Sequence, residues 1–420
     1  MEEFLLPLVN HQTNSVILLQ YFTTKIFENS IMKIAHYLFI IGFSISSIAQ
    51  NKATISIQNP SSSERKEAVV AVKWETILAK FQSIDTSNFV VLNLVTKKQI
   101  PYQLEHKGQK SIQNLLVQVD VKAKSELLLS LQKGKPEVFV TKTYGRFVPE
   151  RKDDFAWEND KIAHRVYGKA LELDPKQHAA YGIDVWVKRS NKMVINERYK
   201  RATAAGANPN EYHMDRGNGL DYYQVDATLG AGNMMPYVND TIFYSKYYRE
   251  YKILDNGPLR TSFQLSFESW NVSKKKVNVS KIISIDAGSQ LSRMENVYTF
   301  DDNKPLPVVI GIRKRIDPGV VSLNEQEGIL GYWEPTHPED GTTGVGVVLE
   351  HSKNEMLVRK TANDYTQLLA KTEAKSNEPI VYYSGAAWDK AGEIKNSKQW
   401  FDYLNSFAQN LKYPLIISVK

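Results

Sequence analysis

Residues 259–270 read LRTSFQLSFESW, and the alternation inside that stretch decides the fold class. On an extended chain Leu259, Phe263, Leu265, Phe267 and Ser269 share one face, because successive side chains of a strand point to opposite sides. The period recurs in YGIDVWVKR (181–189), TIFYSKYYREYKILD (241–255), KVNVSKIISID (276–286), SRMENVYTF (292–300), LPVVIGIRKR (306–315), TGVGVVLE (343–350) and PLIISVK (414–420). Runs of about eight to twelve residues exceed the usual strand of about five or six, which predicts a large twisted pair of sheets.

Residues 53–132 carry shorter apolar runs: ATISIQN, EAVVAVKW, FVVLNLVT, NLLVQVDV and LLLSLQ. Asn-Pro-Ser-Ser-Ser, Thr-Lys-Lys and Lys-Gly-Gln turns separate them, the pattern of a β-sandwich. Lys-Gly-Lys-Pro at 133–136 punctuates its end, so a sandwich over 51–138 and a larger sheet domain over 139–420 are expected. Only SKQWFDYLNSFAQNLK (397–412) is clearly helical, with Trp400, Leu404, Phe407 and Leu411 at helical spacing. The expected fold class is all-β.

The first fifty residues stand apart. From Met32, MKIAHYLFIIGFSISSIAQ places Lys33 before an apolar core at 37–48, then small residues before a break at Ala49 or Gln50. That is the three-part layout of an export signal. The core is too short, and too rich in Ser and Gly, for a good membrane anchor. Residues 1–31 read as upstream sequence brought in by an early start, so the expected product is periplasmic and carries no membrane anchor.

Composition narrows the chemistry. The 420 residues include no cysteine, which excludes a disulfide scaffold, a cysteine-ligated zinc, an iron–sulfur cluster and a thiol nucleophile. Lys and Arg number 53 against 46 Asp and Glu, interspersed, so no nucleic-acid partner is called for. Gly-x-Ser-x-Gly, phosphate-loop, His-Glu-x-x-His and dinucleotide motifs are missing, and no cofactor is expected. Any chemistry falls to His, Tyr, Arg and carboxylates.

Two segments are dense in such groups. The first, YGRFVPERKDDFAWENDKIAHRVYG (144–168), holds Arg146, His164, Arg165 and Tyr167. A period of two sets His164 and Val166 on one face, Arg165 and Tyr167 on the other. Arginine beside tyrosine suits an acidic sugar, since guanidinium clamps a carboxylate and phenol transfers a proton. A solvated charged loop is the competing reading. The second, YHMDRGNGLDYYQVDATLGAGNMMPYV (212–238), holds His213, Asp215, Arg216 and Tyr223. His213 and Asp215 fall on one side of an extended segment, where a carboxylate orients an imidazole. The competing reading has Asp215 cap a turn. A metal site from His213, Asp215 and Asp221 has no diagnostic spacing. In GYWEPTHPEDG (331–341), Tyr332 and Trp333 offer either a platform for sugar rings or a packed rim.

These segments carry a resemblance. WENDKIAHRVYG, GIDVWVKR and YHMDRGNGLDYYQVDATLGAG, with IQNPSSSERKEAVVAV and QIPYQLEHKG upstream, are similar to the exported bacterial family named domain of unknown function 4861. The family resembles galactose-mutarotase-like supersandwiches, in which one broad sheet face holds a sugar. Its members are associated with polysaccharide breakdown. Within it the chain is similar to the oligosaccharide dehydratases of ulvan degradation, which remove water from the unsaturated uronic acid that a lyase leaves. The family phrases fall on Trp157 to Asp160, on Arg165, Tyr167 and Gly168, on Tyr212, His213, Asp215 and Gly217, and on Gly219 to Asp221.

The expected activity is therefore elimination of water from an acidic oligosaccharide, with sugar epimerisation or glycan binding as alternatives. Elimination needs a base, an acid for the departing oxygen, and cations on the carboxylate. His213 is the expected base with Asp215 orienting it, and Tyr167 or His164 the acid. Arg146, Arg165 and Arg216 would hold the carboxylate, with Tyr223 and Trp333 lining the pocket.

Overall fold

A computed structural model describes residues 52–420 apart from 82–83, 176–178, 209, 351–354 and 361–364. The expected export signal and the segment before it lie outside the described residues. Among the described residues the strands gather into five antiparallel sheets, and the fold is all-β.

Two small sheets pack around Ile55, Ile57, Val70, Val72, Phe89, Leu115, Val117 and Leu129. One is four-stranded, and its outermost strand comes from the far end of the chain: Ile416–Val419 pairs antiparallel with Lys52–Gln58. A division at residue 138 thus leaves the closing strand of the first sheet in the second segment.

The dominant layer is a nine-stranded sheet built on Arg260–Ser266, Lys275–Asp286 and Leu291–Thr299. The alternation read at 259–270 holds, with Phe263 and Leu265 buried inward. That face is covered by two five-stranded sheets, and all three contribute to one core that includes Trp157, Val185, Met234, Phe263, Ile283, Ile310 and Tyr382. The opposite face is covered by the helix Ser397–Lys412, whose Trp400 and Leu404 pack on Ile329, Trp333 and Val348. Asn396 caps this helix by accepting from Gln399 N–H.

One of the five-stranded sheets runs Gly219–Leu220, Asp184–Lys188, Ile162–Val166, Asp154–Asn159, Thr143–Val148. Its inner face is apolar, and its outer face carries Asp154, Glu158, Arg165, Asp184 and Lys188 beside Ala156, Ala163 and Trp186. A helix over Ile195–Thr203 roofs that outer face through Ile195, Tyr199 and Ala202. Its sequence, INERYKRAT, concealed the helix because Arg198 occupies a position on the buried stripe where an apolar residue would ordinarily stand. Glu158 starts this helix from outside: its carboxylate accepts from Val194 and Ile195 N–H and from Lys188 Nζ at 2.7 Å. Glu158 and Lys188 are both fully buried.

Candidate active site

At the rim of that sheet lies a cavity of about 840 Å³. Residues 150–152, the end of the roofing helix, and the loop segments 210–213 and 221–227 surround it. Arg165, Tyr167, His213 and Tyr223 line it, as do Arg151, Lys152, Tyr212 and Asp221.

Beneath the cavity is a buried ionic cluster centred on Arg165. Strand register sets Asp184 directly opposite Arg165, with Nε 2.6 Å from Asp184 Oδ2. Another guanidinium nitrogen donates to Asp221 Oδ2 at 2.9 Å, and Asp154 Oδ2 stands 3.8 Å from the third. Trp186, Tyr167 and Tyr212 flank the guanidinium at 5.0, 5.2 and 5.8 Å. Tyr167 donates its hydroxyl to Asp184 Oδ2 at 3.2 Å, and Tyr199 donates to Asp154 at 3.0 Å. Arg151 donates to the other oxygen of Asp154 at 3.1 Å.

The charges shape one another. Burial, then the neighbouring Asp221 charge, raise the Asp184 carboxyl to about 7 against the pull of Arg165. Burial and the Asp184 charge hold the Tyr167 phenol well above its ordinary value. Burial works against the Arg165 charge, but Asp184 and Asp221 outweigh it and keep the guanidinium charged. A group titrating near neutrality, one hydrogen bond from a phenol that lines a cavity, is the arrangement that proton transfer uses.

His213 stands on the cavity wall, exposed, on the turn Glu211–His213. Its Nδ1 donates to the Asp221 carbonyl, while Asp221 N–H returns a bond to Tyr212 O. A carbonyl oxygen only accepts, so Nδ1 carries the proton and Nε2 keeps its lone pair. Gly219 permits the loop to lie this close: its φ is +97°, and a Cβ there would meet Val187 O at 2.1 Å. Gly168 is as constrained, since its Cβ would meet Asp153 O at 1.8 Å.

Five of the expected site residues lie elsewhere. Asp215 does not orient His213: it accepts from Gly217 and Gly219 N–H and pairs with Arg189, so it holds the turn. Arg216 is exposed and paired with Glu211. Arg146 binds Glu150 and Asn196 and lies over Tyr199, tying the roofing helix down. Trp333 is core beneath the helix Ser397–Lys412. His164 points to the inner face, stacked on Trp157 at 5.3 Å, and burial depresses it to about 3. Arg165 reaches the cavity, but three carboxylates already engage it. Among the described residues no three His, Asp or Glu side chains are grouped to hold a metal ion; Asp154, Asp184 and Asp221 enclose a guanidinium instead.

Asp184 and Asp154 were missed as site residues. Both occupy outward positions on strands whose alternate residues are apolar, and a carboxylate at the centre of such a strand is the signal that was available.

Comparison with known proteins adds the following. A curated relative, "Uncharacterized protein P7" of Formosa agariphila, is 31% identical over 347 residues, 79% of this chain and 85% of its own. Among solved structures, a protein in glycosyl hydrolase family 38 from Enterococcus faecalis superposes with a TM-score of 0.48, and an α-mannosidase from Enterococcus faecalis V583 with 0.46. Each is 10% identical and covers 88% of this chain, which spans only 48% and 46% of their lengths. The model of the family described as "Domain of unknown function (DUF4861)" matches residues 57–417, and the chain belongs to that family.

Proposed function

We propose that the protein is an exported carbohydrate-active enzyme, a hydro-lyase that removes water from unsaturated, uronic-acid-terminated oligosaccharides of the ulvan type. The observation that carries this reading is that one cavity is lined both by an imidazole whose Nε2 lone pair is fixed by Asp221 and by a phenol bonded to Asp184. His213 Nε2 takes the carbon-bound proton. Tyr167 protonates the departing hydroxyl and is recharged from Asp184, whose carboxyl holds a proton near neutral pH. Arg151 and Lys152 at the rim, each beside a carboxylate (Asp154 and Asp174), add the positive charge that attracts the uronate, and the phenols of Tyr212 and Tyr223 line its ring.

The test is incubation with lyase-generated unsaturated oligouronides, followed by product mass and ultraviolet absorbance. Loss of one water with a change in absorbance supports the reading. An unchanged mass with an altered anomeric ratio replaces it with epimerisation, and an unaltered substrate with glycan binding.

A further inference from the structure

The large sheet buries a cation that its own pattern does not call for. Along Lys275–Asp286 the inward positions are Val277, Val279, Lys281, Ile283 and Ile285. Lys281 is 4% exposed, in the middle of an otherwise apolar row. Its amine donates to Asn233 Oδ1 at 2.5 Å and Met234 O at 3.2 Å, which uses two of the three hydrogens of an ammonium. Asn296 is its direct partner across the strands. Ser245 Oγ is buried without a hydrogen-bond partner, and the Asn296 amide, beside the Tyr382 phenol, has none of good geometry.

Lys281, Asn296 and Ser245 line one small cavity of about 30 Å³. A water requires roughly 10–15 Å³, so there is room for one or two waters or for a single small ion. The lining includes a second lysine, Lys246, and the phenols of Tyr167, Tyr181, Tyr247, Tyr248 and Tyr382, but no carboxylate. Burial pushes Lys281 down to about 7, the cost of holding an ammonium among apolar side chains without a counter-charge. Three donor side chains thus line one small space: the Lys281 ammonium, which also lies over the Phe267 ring at 5.2 Å, the Asn296 amide and the Ser245 hydroxyl. A water accepts about two such bonds and leaves the ammonium without a counter-charge. An anion accepts all three and neutralises the charge.

We propose that this cavity binds one halide-sized monovalent anion, chloride in ordinary media, through Lys281, Asn296 and Ser245. Tyr167 and Ala180 line both this cavity and the larger one, so the anion sits directly behind the wall of the candidate active site.

Anomalous diffraction at the bromine edge, on crystals of the whole protein soaked in bromide, tests this. The expected result is one peak among Lys281 Nζ, Asn296 Nδ2 and Ser245 Oγ. Lys281→Met should lose the peak by removing the charge. Asn296→Asp, nearly the same shape, should also lose it by supplying a carboxylate in the anion's place, and it keeps the test open should the lysine variant not fold. No anomalous signal in the wild-type cavity overturns the proposal, and so does a peak that persists in either variant.

Discussion

Arg165 and Asp184 face each other across adjacent strands, Nε to Oδ2 at 2.6 Å, and the candidate site is assembled on that pair. The guanidinium bridges Asp184 and Asp221 and stands near Asp154, where a lysine's single ammonium has no comparable fork. Removing it leaves Asp184 and Asp221 buried without their cation, while Asp154 keeps Arg151 and Tyr199. Arg165→Leu should cost about 3–5 kcal/mol of stability in urea denaturation, the usual penalty for breaking one side of a buried ion network. Arg165→Lys should recover only part of that loss. A leucine variant as stable as wild type would show that the carboxylates do not depend on this cation.

Asp184 makes stability depend on pH in a direction opposite to an ordinary salt-bridged carboxylate. Its carboxyl is raised from 3.8 to about 7, chiefly by burial and by Asp221. The folded chain therefore binds the extra proton between those values, and stability falls as pH rises from about 4 to about 7. Asp184→Asn should flatten this part of the profile. Under the proposed mechanism it should also remove the fall in turnover expected of wild type above about pH 7, at the expense of a lower maximum. Urea midpoints and initial rates across the range check both.

His213 and Asp215 separate two ways of building the base. With the imidazole held by the Asp221 carbonyl, His213→Gln should lower kcat on an unsaturated oligouronide by about 10²–10⁴-fold. Asp215→Ala should cost about 1–2 kcal/mol of stability, since Gly217 and Gly219 N–H lose their acceptor, and should leave kcat near wild type. A collapse of kcat in Asp215→Ala would restore the carboxylate–imidazole dyad.

Most of the scaffold was legible because strand alternation and the stripe at Trp400, Leu404, Phe407 and Leu411 are local signals. Arg165 and Tyr167 do stand together, guanidinium over ring at 5.2 Å, but Tyr167 lies one residue beyond the strand that the period of two assumed. What was not legible came from long-range register. Asp184 lies nineteen positions beyond Arg165 in the chain, and only the pairing of two strands sets them opposite one another. His213 and Asp215 fell together on an extended template, but the chain there is a 3-10 turn, and the imidazole bonds eight residues onward. The Trp-Glu-Asn-Asp phrase, dense in polar groups, proved to be structural: Trp157 donates to Ser292, Glu158 starts a helix, and Asn159 and Asp160 tie down turns.

Glu158 joins that structural phrase to the site through the roofing helix. Its carboxylate satisfies Val194 and Ile195 N–H and neutralises Lys188, all without access to solvent. Glu158→Gln keeps the shape but leaves a buried lysine without a counter-charge. A loss of about 3–5 kcal/mol is expected. Amide hydrogen exchange should rise first across Ile195–Thr203, because that helix has no side-chain cap of its own.

His164 offers the sharpest separation of burial from catalysis. Both its ring nitrogens are buried without a hydrogen-bond partner of good geometry, and the ring stacks on Trp157 at 5.3 Å. Burial lowers it from 6.5 to about 3, so the folded chain holds it neutral while the unfolded chain protonates it. Its contribution is therefore full above about pH 6.5 and is lost as pH falls toward about 3. Phenylalanine at 164 keeps the stack and removes both buried nitrogens. His164→Phe should be as stable as wild type at pH 8, more stable at pH 4 to 5, and unchanged in turnover. A drop in kcat of a hundredfold at unaltered stability would place His164 in the chemistry after all, against a side chain that points to the apolar face of its strand.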